Sequence, residues 1–146
     1  MSGYEGYAAM AIPLTETGDI SGSEKILWKR DRGTPYIPSP LLYDGLLFYN
    51  QSNQSILTCL HSKSGEIAFG PERIGQLSNI YASPVGAAGR VYITGRNGTT
   101  LVLERSADFK VLAANQLDEK FDASPALAGQ QLFLRGAKHL YCVERF

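Results

Sequence analysis

The residues of this chain that could do chemistry are few, and none stands in a catalytic arrangement. His61 and His139 each lack a second Cys, His or carboxylate at the spacing of a metal site. Ser39, Ser83 and Ser124 each precede a proline, without the Gly-x-Ser-x-Gly elbow or a His and Asp to activate them. We therefore expect solvated histidines, turn-forming serines, and no catalytic, cofactor-binding or metal-ligating residue.

Two further segments invite a chemical interpretation. The sequence Gly-Arg-Asn-Gly at 95–98 resembles a phosphate loop, but it joins two predicted strands and offers no helix N-terminus to an anion. Asp118, Glu119 and Asp122 form an acidic cluster, whereas calcium takes about six or more oxygen ligands. We predict a tight hairpin turn at 95–98 and a solvated loop at the acidic cluster.

Charge and hydropathy exclude several classes of partner. Fourteen basic and fourteen acidic side chains cancel, and no run of five like charges occurs. A chain with balanced charges and no basic run does not form the basic surface that binds nucleic acid or an anionic membrane. The N-terminus has no secretory signal pattern, and no stretch approaches the roughly 18 apolar residues of a membrane span.

The strongest signal is an internal repeat. Ser-Pro occurs three times, at Ser39, Ser83 and Ser124, with spacings of 44 and 41 residues. A short apolar run, a Gly-containing turn and an alternating strand follow each Ser-Pro, which is the pattern of a β-hairpin. A second turn follows each hairpin at 51–55, 95–98 and 136–138 and leads into a third strand.

Third-strand positions align between the units. We assign Leu57, Leu101 and Leu140 to one position, and Cys59, Leu103 and Cys142 to the apolar position two residues on. The two cysteines then lie on equivalent strands two units apart, beyond the Cα distance of about 7 Å that a disulfide spans. We predict two buried free thiols.

Four short strands in about 40 to 45 residues make one blade of a β-propeller. The fold class predicted is all-β, a partial propeller of about three four-stranded antiparallel blades, incomplete at both ends and almost free of α-helix. A half blade at 1–33 contains a third strand after a turn at 2–6 and a fourth strand near Trp28. Whole blades follow at 34–77 and 78–118, and an incomplete one at 119–146.

The repeat resembles the pyrroloquinoline quinone (PQQ)-like propeller family. Blades of that family read as a Ser-Pro hairpin, a strand, an Asp-x-x-Thr-Gly-Glu turn and a Trp. The segment CLHSKSGEIAF at 59–69 matches, with His61 at the acidic position and Phe69 at the Trp position, and Trp28 ends the preceding unit. We expect Trp28 and Phe69 to pack between blades.

The resemblance implies a location, a binding surface and no bound quinone. Quinoprotein dehydrogenases hold PQQ and calcium with a Trp platform, clustered carboxylates and often adjacent cysteines, and this chain has one Trp and no adjacent cysteines. A periplasmic or secreted protein is implied. In this family the segment before each Ser-Pro lies at the channel mouth, which predicts either ordinary loop packing or a binding surface. Its residues are Arg32, Tyr36, Asn79, Tyr81, Phe121 and Asp122.

Three hypotheses for function follow. The first is a non-enzymatic propeller module that binds a protein or a small ligand. The second is the C-terminal part of a PQQ-dependent oxidoreductase whose cofactor residues lie in other blades. The third is a partial propeller that self-assembles, because about three blades cannot close a ring and leave strand edges open. We expect the natural protein to be longer or this chain to oligomerise.

Overall fold

The chain forms antiparallel sheets arranged in sequence order. The computed structural model describes residues 8–22, 24–51 and 55–144, and these residues contain strands and turns but no helix. Accordingly, no helix in this part of the chain is long and apolar enough to cross a membrane. The turn predicted at 2–6 and most of the turn at 51–55 lie outside the described residues.

The first sheet has two strands, and the second has four. The first sheet pairs β1 (Ala9–Ala11) with β2 (Trp28–Arg30). The second sheet has the order β3 (Leu41–Tyr43), β4 (Leu46–Gln51), β5 (Ile56–His61) and β6 (Ile67–Arg73). Neighbours in chain order are therefore neighbours in the sheet, as in a meander.

The third sheet has the same strand order as the second, and the fourth sheet has the first three strands of that order. The third sheet consists of β7 (Val85–Ala87), β8 (Arg90–Thr94), β9 (Thr99–Glu104) and β10 (Val111–Gln116). The fourth sheet consists of β11 (Ala126–Ala128), β12 (Gln131–Arg135) and β13 (Leu140–Glu144). Each Ser-Pro leads into the first strand of a sheet, so the predicted hairpins are present.

One alignment in the sequence prediction is wrong. Phe48 pairs with Cys59, 11 residues on, whereas the equivalent Tyr92 pairs with Val102, 10 residues on. Because side chains alternate between faces, a slip of one residue reverses the face. Leu101 and Leu103 therefore lie on the opposite face from that of Leu57 and Cys59.

The core lies between the second and third sheets. We call the side of each sheet that is turned toward the following sheet its forward face, and the other side its rear face. Leu46, Phe48, Leu57 and Cys59 on the forward face of the second sheet join one buried cluster with the rear face of the third. That rear face contributes Val91, Ile93, Leu101 and Leu103.

Aromatic rings extend this core outward. The Phe48 and Phe69 ring centroids are 6.1 Å apart, and Phe69 lies 5.7 Å from Phe109 of the third sheet. Trp28 occupies the corresponding place one sheet earlier, because its Nε1 donates a hydrogen bond to the Ser62 carbonyl at 2.8 Å. The aromatic residue on the outer strand of one sheet thus packs on the turn between the third and fourth strands of the next.

Cys142 corrects the cysteine prediction. Both cysteines are free thiols, Cys59 buried and Cys142 exposed. Cys59 is covered by the third sheet, while Cys142 lies on the forward face of the fourth sheet, where the described residues supply no covering sheet.

Candidate functional site

The loops before the Ser-Pro pairs meet at one end of the molecule. Ser39 N donates a hydrogen bond to Ser83 Oγ at 2.8 Å, and Ser83 N donates to Ser124 Oγ at 2.9 Å. The three segments that end in these serines are therefore neighbours. The hydroxyls of Ser83 and Ser124 thus each accept a hydrogen bond from the backbone of the neighbouring Ser-Pro segment.

Three side chains from two of these loops and a hairpin turn form what we call the mouth cluster: Tyr81, Arg96 and Asp122. Arg96 binds both carboxylate oxygens of Asp122, through Nε at 2.8 Å and Nη2 at 3.1 Å. Its guanidinium carbon lies 5.1 Å from the centre of the Tyr81 ring, in a cation–π contact. A planar guanidinium held on one face and one edge is fixed in orientation.

Backbone contacts position Arg96. Its N–H donates to the Ser78 carbonyl at 3.0 Å, and Asn97 Nδ2 donates to the Gln76 carbonyl at 3.0 Å. These bonds tie the hairpin turn at 95–98 to the loop that carries Asn79 and Tyr81. Gly98, with φ +91°, closes the turn, and its missing Cβ leaves room for the Leu117 carbonyl. The segment is a hairpin turn, as predicted.

The other predicted residues of the surface lie in different settings. Tyr36 is 40% exposed and Arg32 is exposed on the loop before Ser39. Asn79 is exposed with φ +50°, in the left-handed region that Asn tolerates. Phe121 is a correction, because it is 1% exposed and its ring packs 5.8 Å from Tyr141 instead of lying on the surface.

Glu119 corrects the prediction of a solvated acidic loop. Its carboxylate is 5% exposed and accepts hydrogen bonds from the backbone N–H groups of Lys138 and His139, with His139 Nδ1 at 3.3 Å. Desolvation raises the pKa of the Glu119 carboxyl, but these bonds and one from the Tyr141 hydroxyl together lower it to about 2. Glu119 thus holds the turn before β13, and His139 is anchored by it.

A shallow depression lies beside the mouth cluster. Its volume is about 260 Å³, and Lys120, Asp122 and Arg135 line it with Ala123, Gly136 and Ala137. Two cations therefore stand next to the carboxylate that Arg96 already neutralises. The described residues contain no group of three or more His, Cys, Asp or Glu that could hold a metal ion.

A larger cavity of about 770 Å³ separates the third and fourth sheets. Most of its lining is apolar and includes Tyr92, Val102, Leu112, Leu127 and Leu132. The cavity exists because Ala113, which pairs with Val102, stands where Phe69 fills the preceding junction.

Sequence reasoning missed Arg96, Lys120 and Arg135. Arg96 was assigned only to a turn, since its partner Asp122 lies 26 residues away in the next repeat unit. Nothing within a single unit indicates that pairing. Arg135 lies between the strand and the turn at 136–138 that the sequence predicts. In the structure it ends β12 and lines the depression with residues of a turn and a loop.

Comparison with known proteins bears on the fold. No protein-family model matches the sequence, and no curated protein matches it. Solved structures do match. The computationally designed Ika8 protein has a TM-score of 0.63 at 13% identity, over 84% of this chain and 37% of that chain. The computationally designed Ika4 protein has a TM-score of 0.65 at 10% identity, over 84% and 74%.

Two further structures are similar. A europium-containing methanol dehydrogenase has a TM-score of 0.54 at 13% identity, over 72% of this chain and 22% of that chain. BamB from Moraxella catarrhalis has a TM-score of 0.53 at 11% identity, over 85% and 50%. The chain thus spans only part of the length of Ika8, the dehydrogenase and BamB.

The methanol dehydrogenase and BamB are propeller proteins. The chain folds as a partial β-propeller. Its four antiparallel sheets are the blades of that partial propeller. At identities this low the likeness shows the fold alone, and membership of the PQQ-like family stays a prediction.

Proposed function

We propose that this partial propeller is a non-enzymatic module whose mouth end binds an extended peptide that carries carboxylate groups. The observation that carries the proposal is the Arg96 guanidinium, fixed by Tyr81 and Asp122 at the point where the inter-blade loops converge. A guanidinium that is already oriented binds a second carboxylate at a lower entropic cost than a free side chain does.

The surroundings of the mouth cluster favour a carboxylate ligand. Lys120 and Arg135 line the depression beside it, and Asp122 is the one acidic residue of that lining. Tyr36 and Ile37, 40% and 47% exposed on a neighbouring inter-blade loop, offer apolar contact beyond the charged groups. Aromatic and basic groups on loops held by a rigid scaffold are typical of peptide-binding surfaces.

A selection from a phage-displayed library of short random peptides tests this proposal. We expect the selected peptides to be acidic and to bind more weakly as salt is raised, because exposed charge pairs are screened. Calorimetry should show at least a tenfold loss of affinity in the double variant Arg96→Ala with Arg135→Ala. Lys110→Ala is the matched control, since Lys110 forms an exposed ion pair with Glu104 within the third blade, at 2.6 Å and away from the mouth.

Three results would overturn the proposal. One is a selection that yields no peptide above background, and another is a set of peptides that bind wild type and the double variant equally. The third is quinone absorbance or dehydrogenase turnover in the purified protein, which would favour the oxidoreductase hypothesis instead.

A further inference from the structure

The hydrogen bonds between Ser-Pro segments form a ladder with two open ends. The same bond occurs twice, from Ser39 N to Ser83 Oγ and from Ser83 N to Ser124 Oγ. These two bonds join the three Ser-Pro pairs of the sequence in chain order. In the described part of the chain, Ser39 Oγ is left as the acceptor end of the ladder and Ser124 N–H as the donor end.

At each junction between blades, a larger side chain on one innermost strand faces a small residue on the innermost strand of the neighbouring blade. Tyr43 packs on Gly86, where a Cβ would lie 2.6 Å from the Tyr43 ring. At the next junction the equivalent residues are Ala87 and Leu127, which line the same cavity. Each junction thus pairs one larger side chain with one small residue.

The two outer ends of the chain would make a third pair of this kind. Ala128 on the fourth blade is equivalent to Tyr43 and Ala87, and Leu42 on the second blade is equivalent to Gly86 and Leu127. Ala128 is small, and Leu42 is 63% exposed with no inner strand before it in the described residues. The open inner faces at the two ends are therefore complementary in size.

The strands of the first and fourth blades also complement each other. The fourth blade has the three inner strands β11, β12 and β13. In the first blade, β2 is the fourth strand, because Trp28 packs on Gly65 as Phe69 packs on Phe109. The strand β1 has only three residues and holds the third position, the same as β13. If β13 of one copy replaces β1 beside β2 of another copy, then β11, β12, β13 and that β2 form one blade of four strands.

Exposure on the fourth blade indicates that its forward face is built to be covered. Phe133 pairs with Cys142 as Phe48 pairs with Cys59. Phe48 and Cys59 are 0% exposed beneath the third blade, whereas Leu140, on the same face as Cys142, is 65% exposed. An aromatic, a leucine and a thiol at positions that are core positions two blades earlier form an unpartnered apolar face.

We infer that a second copy of this chain covers this face and closes a ring. The second and third blades come from one copy, and a shared blade combines β11–β13 with β2 of the partner copy. Each chain then accounts for three blade positions, and two chains close a six-bladed ring, within the range of about four to eight blades found in propellers. Ser124 N–H donates to Ser39 Oγ of the other copy across both junctions of a two-fold symmetric dimer.

The mass in solution is the first test. Light scattering on the 146-residue chain should give twice the chain mass of 15.9 kDa. Leu42→Glu places a charge in the inter-copy junction and should give the monomer mass. Val111→Glu is the matched control, because Val111 is a 41% exposed residue on the outer strand of the third blade, the blade furthest from both junctions. It should remain a dimer.

The serine ladder supplies a second test that leaves the fold in place. Ser39→Ala removes an acceptor used only between copies, at both junctions of the dimer. It should raise the dimer dissociation constant about 30-fold, as expected for two hydrogen bonds worth about 1 kcal/mol each. Ser83→Ala removes the same bond within one chain and should lower the stability of the fold without a comparable change in dimer affinity. Far-UV circular dichroism reports whether each variant is folded.

A wild-type chain that is folded and monomeric at its highest soluble concentration would overturn the inference and leave this face to a blade of another chain. A dimer whose affinity is unchanged by both Leu42→Glu and Ser39→Ala would overturn it as well.

Discussion

The indole of Trp28 lies against the backbone of Gly65 in the next blade, so closely that a Cβ at Gly65 would be 2.6 Å from the ring. The indole N–H continues the contact by donating to the Ser62 carbonyl. Gly65 also has φ +72°. The turn between the third and fourth strands of the second blade therefore requires glycine for its conformation and for the space that Trp28 occupies.

Substitution at this glycine should separate the two requirements. Gly45→Ala is the control, because Gly45 has φ +78° and nothing within 4 Å of an added Cβ, so its cost is conformational, about 1 kcal/mol. Gly65→Ala should cost at least about 1 kcal/mol more in the free energy of unfolding, measured in urea. Adding Trp28→Ala to Gly65→Ala should remove that excess in a double-mutant cycle. Equal losses at the two glycines would contradict the contact.

The cavity between the third and fourth blades should be fillable. Ala113 pairs with Val102 and lines this cavity at the position where Phe69 fills the preceding junction. Ala113→Leu should raise the free energy of unfolding by about 0.5–1 kcal/mol, as filling a cavity commonly does. Ala114→Leu, on the opposite face of the same strand, should change it by less than about 0.5 kcal/mol. A loss of stability in Ala113→Leu would mean that the cavity walls are closer than they stand in the structure.

Local sequence signals determine much of this fold. A Ser-Pro, a short apolar run and a glycine turn specify a hairpin within about a dozen residues, and all three hairpins form. The order of strands within each sheet follows, since consecutive strands joined by short turns pair with each other.

Register and inter-blade contacts are less accessible to sequence reasoning. Leu101 and Leu103 look equivalent to Leu57 and Cys59, but a hairpin one residue shorter puts them on the other face. Both faces of a blade are buried against neighbouring blades, so both carry apolar residues. The hydrophobic pattern therefore does not show on which face a residue lies. The pairing of Arg96 with Asp122 depends on how neighbouring blades sit together, which no single repeat unit encodes.

Glu119 should make stability depend on pH in the acid range. Its folded pKa of about 2 lies below the ordinary value of 4.5, so the unfolded state binds the proton more readily. The stabilisation is then fully present above about pH 4.5 and is lost as pH falls toward 2. Glu119→Gln should be less stable than wild type at neutral pH, and the difference should shrink between those two values.

Urea unfolding of both proteins across this range measures that difference. Glu104→Gln breaks the exposed ion pair with Lys110 and should lower stability at neutral pH by less than about 1 kcal/mol. If the difference between wild type and Glu119→Gln stayed constant down to pH 2, the backbone N–H groups of Lys138 and His139 would not be holding the ionised carboxylate.

The two cysteines should differ sharply in reactivity. Cys59 is 0% exposed, and burial raises the pKa of its thiol to about 12, so the folded chain offers neither access nor thiolate at neutral pH. Cys142 is exposed on the fourth blade. A maleimide should therefore react with Cys142 and not with Cys59 while the chain stays folded, and the Cys142→Ser variant should label only after unfolding.

The rate of Cys142 labelling also reports on the dimer. In the closed ring Cys142 takes the place that Cys59 has beneath the third blade, so its labelling should slow as the protein concentration rises. Leu42→Glu is the control. Because this variant should stay monomeric and leave the face open, its Cys142 should label at the same fast rate at every protein concentration. A wild-type rate that does not vary with concentration would show that no second copy covers the thiol, whatever the stability of the chain.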